Sequence, residues 1–387
     1  MRKLLMNIIG SFAILAFLAA CATHEPPKAT RMQQARQSFK PGDILESKSG
    51  NVISFDTLVD EVSRVQVVYV GEVHTNMEDH RIQLDLLKRL HANNPSVALA
   101  MEMFPRNDQV FLDEYAKGRI SETAFLRQAG WERVWGYPFL FYRPIMEFAR
   151  NQHLKIIGLN APPQIVRKVA RTGLSSLSTK QRGQLATDFH LDDSRHREYV
   201  LREFEQHLTG SIKDFDTFFE AQLAWEETMA ETLARELSSP ASKSQILVMI
   251  GAGHISEGVG VPELTARRVN YSYKTIVPIP VDQFDDENDL KIADFIWITQ
   301  PFKPFHHGQL GIMVHPLKSG EGLEVMGVLP DSRAATAGFK KGDVVFEIDG
   351  KRIRNVEELH EGMSQNVINH TLGIKRGSEA IFITIPH

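Results

Sequence analysis

The sequence predicts an α/β protein: a parallel sheet with flanking helices and a helical insert, followed by a small β-rich domain. Three observations predict it. Four short runs are apolar throughout, as strands buried on both faces are. Segments with a helical apolar period lie between them. Beyond residue 305 the chain turns glycine-rich, with short β-type runs such as Val344-Val-Phe-Glu-Ile348.

A chain of 387 residues exceeds what one small core holds, so two domains are expected. The net charge of -4 leaves no basic excess to displace counterions from a phosphate backbone, which argues against nucleic-acid binding. The single cysteine excludes an internal disulfide framework, a cysteine-rich zinc site, an iron-sulfur cluster and covalent c-type haem attachment.

In chain order, residues 1–20 begin with Arg2 and Lys3, continue as an apolar run and end in small residues. The run is too short for a comfortable membrane span and reads as a secretion signal. Leu18-Ala19-Ala20-Cys21 resembles a bacterial lipobox, which implies that Cys21 becomes the acylated amino terminus of a lipoprotein. Several acyl chains hold a protein on a bilayer far more firmly than one. Ala22 after the cysteine, where inner-membrane retention favours Asp, implies the outer membrane facing the periplasm. Residues 21–45 carry Pro26, Pro27, Pro41 and Gly42 without an apolar period, and read as an extended tether.

Residues 46–300 form the α/β unit. Its expected strands are Val65–Val70, Val97–Met101, Leu154–Gly158 and Gln245–Ile250. The segment Thr75–His91 is an expected helix, with Thr75 and Glu78 as a capping box and Ile82, Leu86, Leu87 and Leu90 on one face. Strand-helix-strand alternation predicts parallel pairing with right-handed crossovers. Residues 162–239 lack strand signals and read as an insert of three or four helices.

In an open parallel sheet, ligands bind beyond the carboxyl ends of the strands. Here those ends carry Gly71-Glu72-Val73-His74, Glu102, Gly158-Leu159-Asn160 and Gly251-Ala252-Gly253-His254. A carboxylate directly after a buried strand must be paired, protonated or ligated. Glu72, His74, Glu102 and His254 are therefore expected to converge as catalytic residues if the protein is an enzyme, with Glu72 and His254 as ligands if a divalent metal is bound. His80 and Gln83 read equally as hydrogen-bonded core residues. His190, His196 and His207, near Asp192 and Asp193, read as solvated helix faces.

At these residues the chain resembles the ChaN-like haem-binding lipoproteins, within a superfamily that includes erythromycin esterases and the TraB and Tiki-type metal-dependent proteases. The resemblance spans residues 46–297. It is carried by Tyr69–His74 with His80 and Gln83, Glu102-Met103-Phe104, Trp131–Trp135 with Tyr142–Ile145, Gln222–Trp225 with Met229-Ala230, and Gly251–His254. It implies haem as cofactor, held at a homodimer contact with tyrosine on the iron. Tyr137 and Tyr142 are the candidate ligands, with Arg143 for a propionate and Trp131, Trp135, Phe139 and Phe141 as flat apolar walls. On this reading the aromatic segment and the strand-end residues are separate sites.

Residues 305–387 resemble an HtrA-like PDZ domain. Leu310-Gly311-Ile312 is similar to its carboxylate-binding loop, and Ala337-Gly338-Phe339, Gly342-Asp343 and Asp349-Gly350 follow its pattern. Arg333 departs from it, since proline is usual there. The resemblance implies that a protein or peptide terminus binds in the groove by strand addition.

Three functional readings stay open on the sequence: haem binding for iron acquisition or trafficking, metal-assisted or general-base hydrolysis at the Glu/His cluster, and a periplasmic interaction scaffold. Neither Gly-x-Ser-x-Gly nor His-Glu-x-x-His occurs, so a nucleophilic serine or a zinc-peptidase helix is not indicated.

Overall fold

The computed structural model describes residues 39–206, 214–239, 244–302, 310–317, 319–328, 332–363 and 369–386. The leader, Cys21, most of the tether, His207 and the linker at 303–309 lie outside these residues. Among the described residues no helix is long and apolar enough to cross a membrane.

The first unit is built on eight strands: β1 (Ile44–Glu46), β2 (Asn51–Ile53), β3 (Val67–Glu72), β4 (Ala98–Pro105), β5 (Ile156–Asn160), β6 (Ile246–Gly251), β7 (Tyr273–Pro280) and β8 (Phe295–Thr299). Their order is β2-β1-β8-β7-β3-β6-β4-β5. The six from β8 to β5 run parallel, while β1 is antiparallel to both β8 and β2. The apolar runs are buried along their whole length in β3, β4, β5 and β6, as two covered faces require.

Four strands were missing from the sequence reading. β1 and β2 have three residues each, too few to show a period. β7 contains Pro278 and Pro280, and prolines in a run argue against a strand; here the run still pairs on both sides, with β3 and β8. β8 follows a polar stretch and extends past Trp297 to Thr299.

The order of β3, β6 and β4 positions the site. The chain leaves β3 for β4 and β5, then returns to lay β6 between β3 and β4. Glu72 is thereby in register with Gly251, and Met101 with Met249, so three strand ends stand side by side at a switch point. The β4–β5 register shifts between Met101 and Pro105, an irregularity that re-aims the residues around Glu102.

The helix after β3 spans Met77–Asn93 and buries Ile82, Leu86, Leu87 and Leu90, the face expected. Its cap differs. Asn76, not Thr75, is the N-cap, its side chain accepting from the Glu78 amide, so the Thr75–Glu78 capping box is not formed. The other acceptor-bearing residue sits one position nearer the helix and takes the free amide.

Between β5 and β6 the described chain is helical: Pro163–Thr172, Thr179–Arg182, Ser194–Gln206 and Phe215–Ser238. The long helix lays Met229, Ala230 and Leu233 on the sheet core beside Ile246, Val248 and Ile250. Burial of Met229 and Leu233 is worth roughly 1.5–3 kcal/mol each and holds the insert against the sheet.

The second unit is an antiparallel sheet with its own core of Leu310, Ile312, Leu323, Val325, Phe339, Val345, Leu372 and Ile374 among others. Its strands are β9 (Ile312–Pro316), β10 (Leu323–Val328), β11 (Val344–Ile348), β12 (Lys351–Arg352), β13 (Asn369–Arg376) and β14 (Glu379–Pro386), ordered β14-β13-β11-β10-β9 with β12 on β11. The Asp349-Gly350 turn between β11 and β12 has φ of 49° and 79°, the doubly left-handed geometry that Asp-Gly hairpins favour. Asp343, buried behind the Gly342 turn, accepts from Arg376 Nε at 2.7 Å and Nη2 at 2.8 Å.

Candidate functional site

The site grows from two buried carboxylates at adjacent strand ends. Glu72 closes β3. Its Oε1 accepts from His74 Nδ1 at 2.8 Å and from the Tyr142 hydroxyl at 2.7 Å, and its Oε2 accepts from Gln83 Nε2 at 2.9 Å. His80 Nε2 lies 3.5 Å away, within ion-pair range. Burial alone raises a carboxyl pKa, but the charge of His80 and the hydrogen bond from His74 outweigh it. Glu72 is therefore held well below the usual range and stays ionised.

Glu102 occupies the same place on β4. Its Oε2 accepts from the Gly251 amide at 2.6 Å, and its Oε1 lies 3.4 Å from His254 Nε2. Across His254, Nδ1 reaches Glu226 Oε1 at 2.8 Å, and Glu226 Oε2 meets His196 Nε2 at 2.6 Å. Burial works against a charged His254, but Glu102 and Glu226 prevail and push its pKa up to about 10. Against the same burial cost, His196 and His254 lower Glu226 to about 2.

Gly251 lets the two sets meet. A Cβ there would lie 3.1 Å from His74 Cε1, 3.3 Å from His74 Nε2 and 3.4 Å from Glu102 Oε2. The structure thus brings Glu72, His74, Glu102 and His254 around one glycine. His74 is oriented by Glu72 through Nδ1, while its buried Nε2 has no hydrogen-bond partner, nor has Glu102 Oε1.

Several expectations change. The aromatic segment is not a separate site: Tyr142 donates to Glu72, the His74 ring packs on Trp135 at 4.7 Å and Tyr137 at 5.3 Å, and the His80 ring packs on Tyr142 at 4.6 Å. His196 is not on a solvated face; it is buried against Glu226, and its backbone amide donates to Asp193. His190 Nδ1 is likewise bonded to buried Glu227. Glu72 and His254 are each engaged in a network of their own, Glu72 with His74, Gln83 and Tyr142 and His254 with Glu226. Among the described residues no group of three or more His, Cys, Asp or Glu side chains is arranged to hold a metal ion.

Sequence reasoning missed Glu226, though a signal existed. Glu226 and Glu227 fall on the apolar stripe of their helix, between Leu223 and Ala230, and both are fully buried. Carboxylates on such a stripe need partners.

Fold and site define a class: an α/β domain with a buried carboxylate–histidine cluster at a central switch point, followed by a separate antiparallel domain. Residues 58–264 match the family described as haem-binding uptake, Tiki superfamily, ChaN, and residues 308–385 match the PDZ domain. The chain belongs to that ChaN haem-binding family and carries a PDZ domain at its carboxyl end. The structure titled cofacial heme binding to ChaN of Campylobacter jejuni has a TM-score of 0.53 at 18% identity, over 66% of this chain and 95% of that one, and shows the shared fold. Protein RETICULATA-RELATED 5, chloroplastic, of Arabidopsis thaliana is 21% identical over 258 residues, 62% of this chain and 35% of that protein. The chain thus spans about a third of the length of this curated relative.

Haem requires a flat apolar slot, an iron ligand and a partner for its propionates. Trp135 and its neighbours supply apolar walls. Tyr142 does not supply a free ligating oxygen: it is fully buried, accepts from Trp135 Nε1 at 3.2 Å and donates to Glu72. Burial and the Glu72 charge raise its pKa well above the usual phenol value, opposing tyrosinate. Burial, then Glu102 and Glu72, also raise Tyr137. Arg143 is engaged by Glu122, with Nη2 to Oε1 at 2.8 Å. In this conformation the Tyr142 hydroxyl is committed to Glu72 and the Arg143 guanidinium to Glu122, rather than to the iron and propionate roles expected of them.

In the PDZ domain Leu310 and Ile312 are buried in the core and Gly311 has φ of +78°. A Cβ on Gly311 would lie 2.3 Å from Ser332 Cβ, so this loop position requires glycine. β9 follows it and, among the described residues, pairs on one side only, with β10.

Proposed function

We propose that this chain is a lipid-anchored protein of a bacterial cell envelope, attached through Cys21 to the outer membrane on its periplasmic side. There it binds haem for iron acquisition or trafficking and uses its PDZ domain to take the terminus of a partner protein. The observation that carries the reading is the family match across residues 58–264. The basic-apolar-cysteine leader supports the anchor. The edge of β9, unpaired among the described residues and beside the Gly311 loop, supports capture of a peptide by strand addition. The haem contact is assigned to a homodimer on the resemblance to the ChaN-like family.

The test is a haemin titration of the soluble form lacking residues 1–21, with metal content measured by mass spectrometry. Saturable binding with a defined Soret shift is expected. Absence of a shift at micromolar haemin overturns the haem reading. Cys21→Ala should release the full-length protein from the membrane fraction, and retention at wild-type level overturns the anchor.

A second reading, hydrolysis, is favoured by one specific observation: His74 is oriented by Glu72 through Nδ1 and keeps a buried, unpartnered Nε2 opposite Glu102. That is the arrangement of a general base positioned by a carboxylate. It needs no metal. An ester-hydrolase screen in which His74→Gln abolishes turnover supports it, and activity unchanged in that variant overturns it.

A further inference from the structure

β14 forms one edge of the PDZ sheet. Its eight residues pair with β13 along their whole length in an unbroken register and, among the described residues, pair with nothing on the other side. An open edge presents a row of unused N–H and C=O groups, which proteins blunt with charge, proline, a bulge or shortness, or by covering it. The edges of the first unit are managed in this way. β2 has only three residues. The free side of β5 is occupied by Gln109, whose Nε2 donates to the Ile156 carbonyl at 2.7 Å while its Oε1 accepts from the Gly158 amide at 3.1 Å. β14 has no such device between Ala380 and Ile385, a run without charge, proline or bulge.

The side chains of β14 suit one occupant, a second copy of the same strand. Phe382, near its centre, is 59% exposed. Its ring meets Phe346 of β11 edge-on at 6.3 Å, and Phe346 in turn covers Gly373, where a Cβ would lie 2.9 Å from the Phe346 Cζ. An aromatic row thus crosses the outer face of the sheet and stops at the open edge. On the inner face Ile385 is fully buried, but Ile381 and Ile383 are only partly buried against the PDZ core. Residues paired across antiparallel strands share a face, so two copies of β14 match faces only when residues of the same parity stand opposite. Centring the pair on Phe382 meets that condition. Phe382 then faces its own mate, Ile381 faces Ile383 of the second copy, Ala380 faces Thr384 and Glu379 faces Ile385. Pro386, which has no N–H, stays outside the ladder. No like charges are opposed and an aromatic pair is formed, both of which favour pairing.

We propose that β14 pairs antiparallel with β14 of a second copy of this chain, centred on Phe382, and joins two PDZ sheets into one. The contact is isologous and closes on itself, so it covers both open edges without starting a fibre. It uses the edge opposite β9. On the reading that β9 takes a peptide terminus, one dimer therefore presents two grooves, and a partner with two termini gains avidity. The dimer itself rests neither on that reading nor on haem.

Sedimentation of the haem-free chain lacking residues 1–21 should show a reversible monomer–dimer equilibrium at concentrations up to about 100 µM. Phe382→Glu sets like charges opposite each other and should weaken the dimer about tenfold or more, with little change in melting temperature because the ring is exposed. Ala380→Lys with Thr384→Lys should weaken it likewise. Ala380→Glu with Thr384→Lys should restore it, because position 380 faces position 384 of the second copy. Cys21 is the sole cysteine, so this shortened chain carries none. Paired Cα atoms across such a ladder lie about 4.5–5.5 Å apart, within disulfide reach. Phe382→Cys should therefore cross-link under mild oxidation faster than Val110→Cys, a site 58% exposed on the first unit. The proposal is overturned if the chain stays monomeric, if Phe382→Glu leaves a dimer intact, if the two double variants behave alike, or if the two cysteines cross-link at equal rates. A dimer that forms only with haemin and is indifferent to Phe382 leaves the haem reading standing and removes this one.

Discussion

Glu72 is the residue on which the site turns, because four side chains from three elements meet its two oxygens or lie within ion-pair range. Tyr142→Phe keeps the ring and deletes one charge-assisted bond, so it should destabilise the domain by about 1.5–3 kcal/mol in urea unfolding. A loss below a few tenths would mean that the bond is not formed in solution. The His254–Glu226 pair gives a pH signature. The folded His254 pKa of about 10 lies above the ordinary histidine value of 6.5, so its stabilisation is complete below about pH 6.5 and is lost as pH rises towards 10. Glu226, lowered to about 2 from 4.5, contributes above about pH 4.5 and loses its contribution as pH falls towards 2. Urea midpoints measured from pH 3 to 10 should fall at both ends, and a midpoint that rises from pH 7 to 9 would contradict the protonated His254.

At the scale of elements, the turn after β6 tolerates little. Gly260 has φ of +76°, and a Cβ there would lie 2.3 Å from the His254 carbonyl oxygen, a backbone atom that cannot swing aside. Gly251 has ordinary φ, and its Cβ would meet side chains at 3.1–3.4 Å. Gly260→Ala should therefore lower the melting temperature more than Gly251→Ala, while Gly251→Ala should disturb His74 and Glu102 more. Scanning calorimetry gives the first comparison and histidine NMR shifts the second; the reverse order in calorimetry would show that the turn can relax. Element identity was largely legible in the sequence: the apolar runs gave β3, β4, β5 and β6, and the helical period gave the buried face of the Met77–Asn93 helix. The ends were legible only to within a few residues, because capping at Asn76 or Thr75 depends on which oxygen reaches the free amide.

For the whole molecule, two separate cores predict two folding units. Deleting residues 303–387 should leave the α/β unit soluble, with haemin affinity within a few-fold of the intact protein. Insolubility, or a loss beyond tenfold, would show that the two parts depend on one another.

The sequence by itself determined the parallel α/β class and the four strand-end residues, because burial pattern and turn chemistry are local properties of the chain, and it marked the PDZ unit through the resemblance of its glycine motifs to that family. It also placed Glu72 and Glu102 where a charge must find a partner. Only the tertiary structure decided who those partners are. Threading β6 between β3 and β4 sets Gly251 against His74 and Glu102, and the packed insert brings Glu226 and His196 to His254. Tyr142 lies 70 residues from Glu72 along the chain, yet its hydroxyl is bonded to that carboxylate. Such pairings are products of strand order and side-chain packing, and no period or motif in the sequence encodes them.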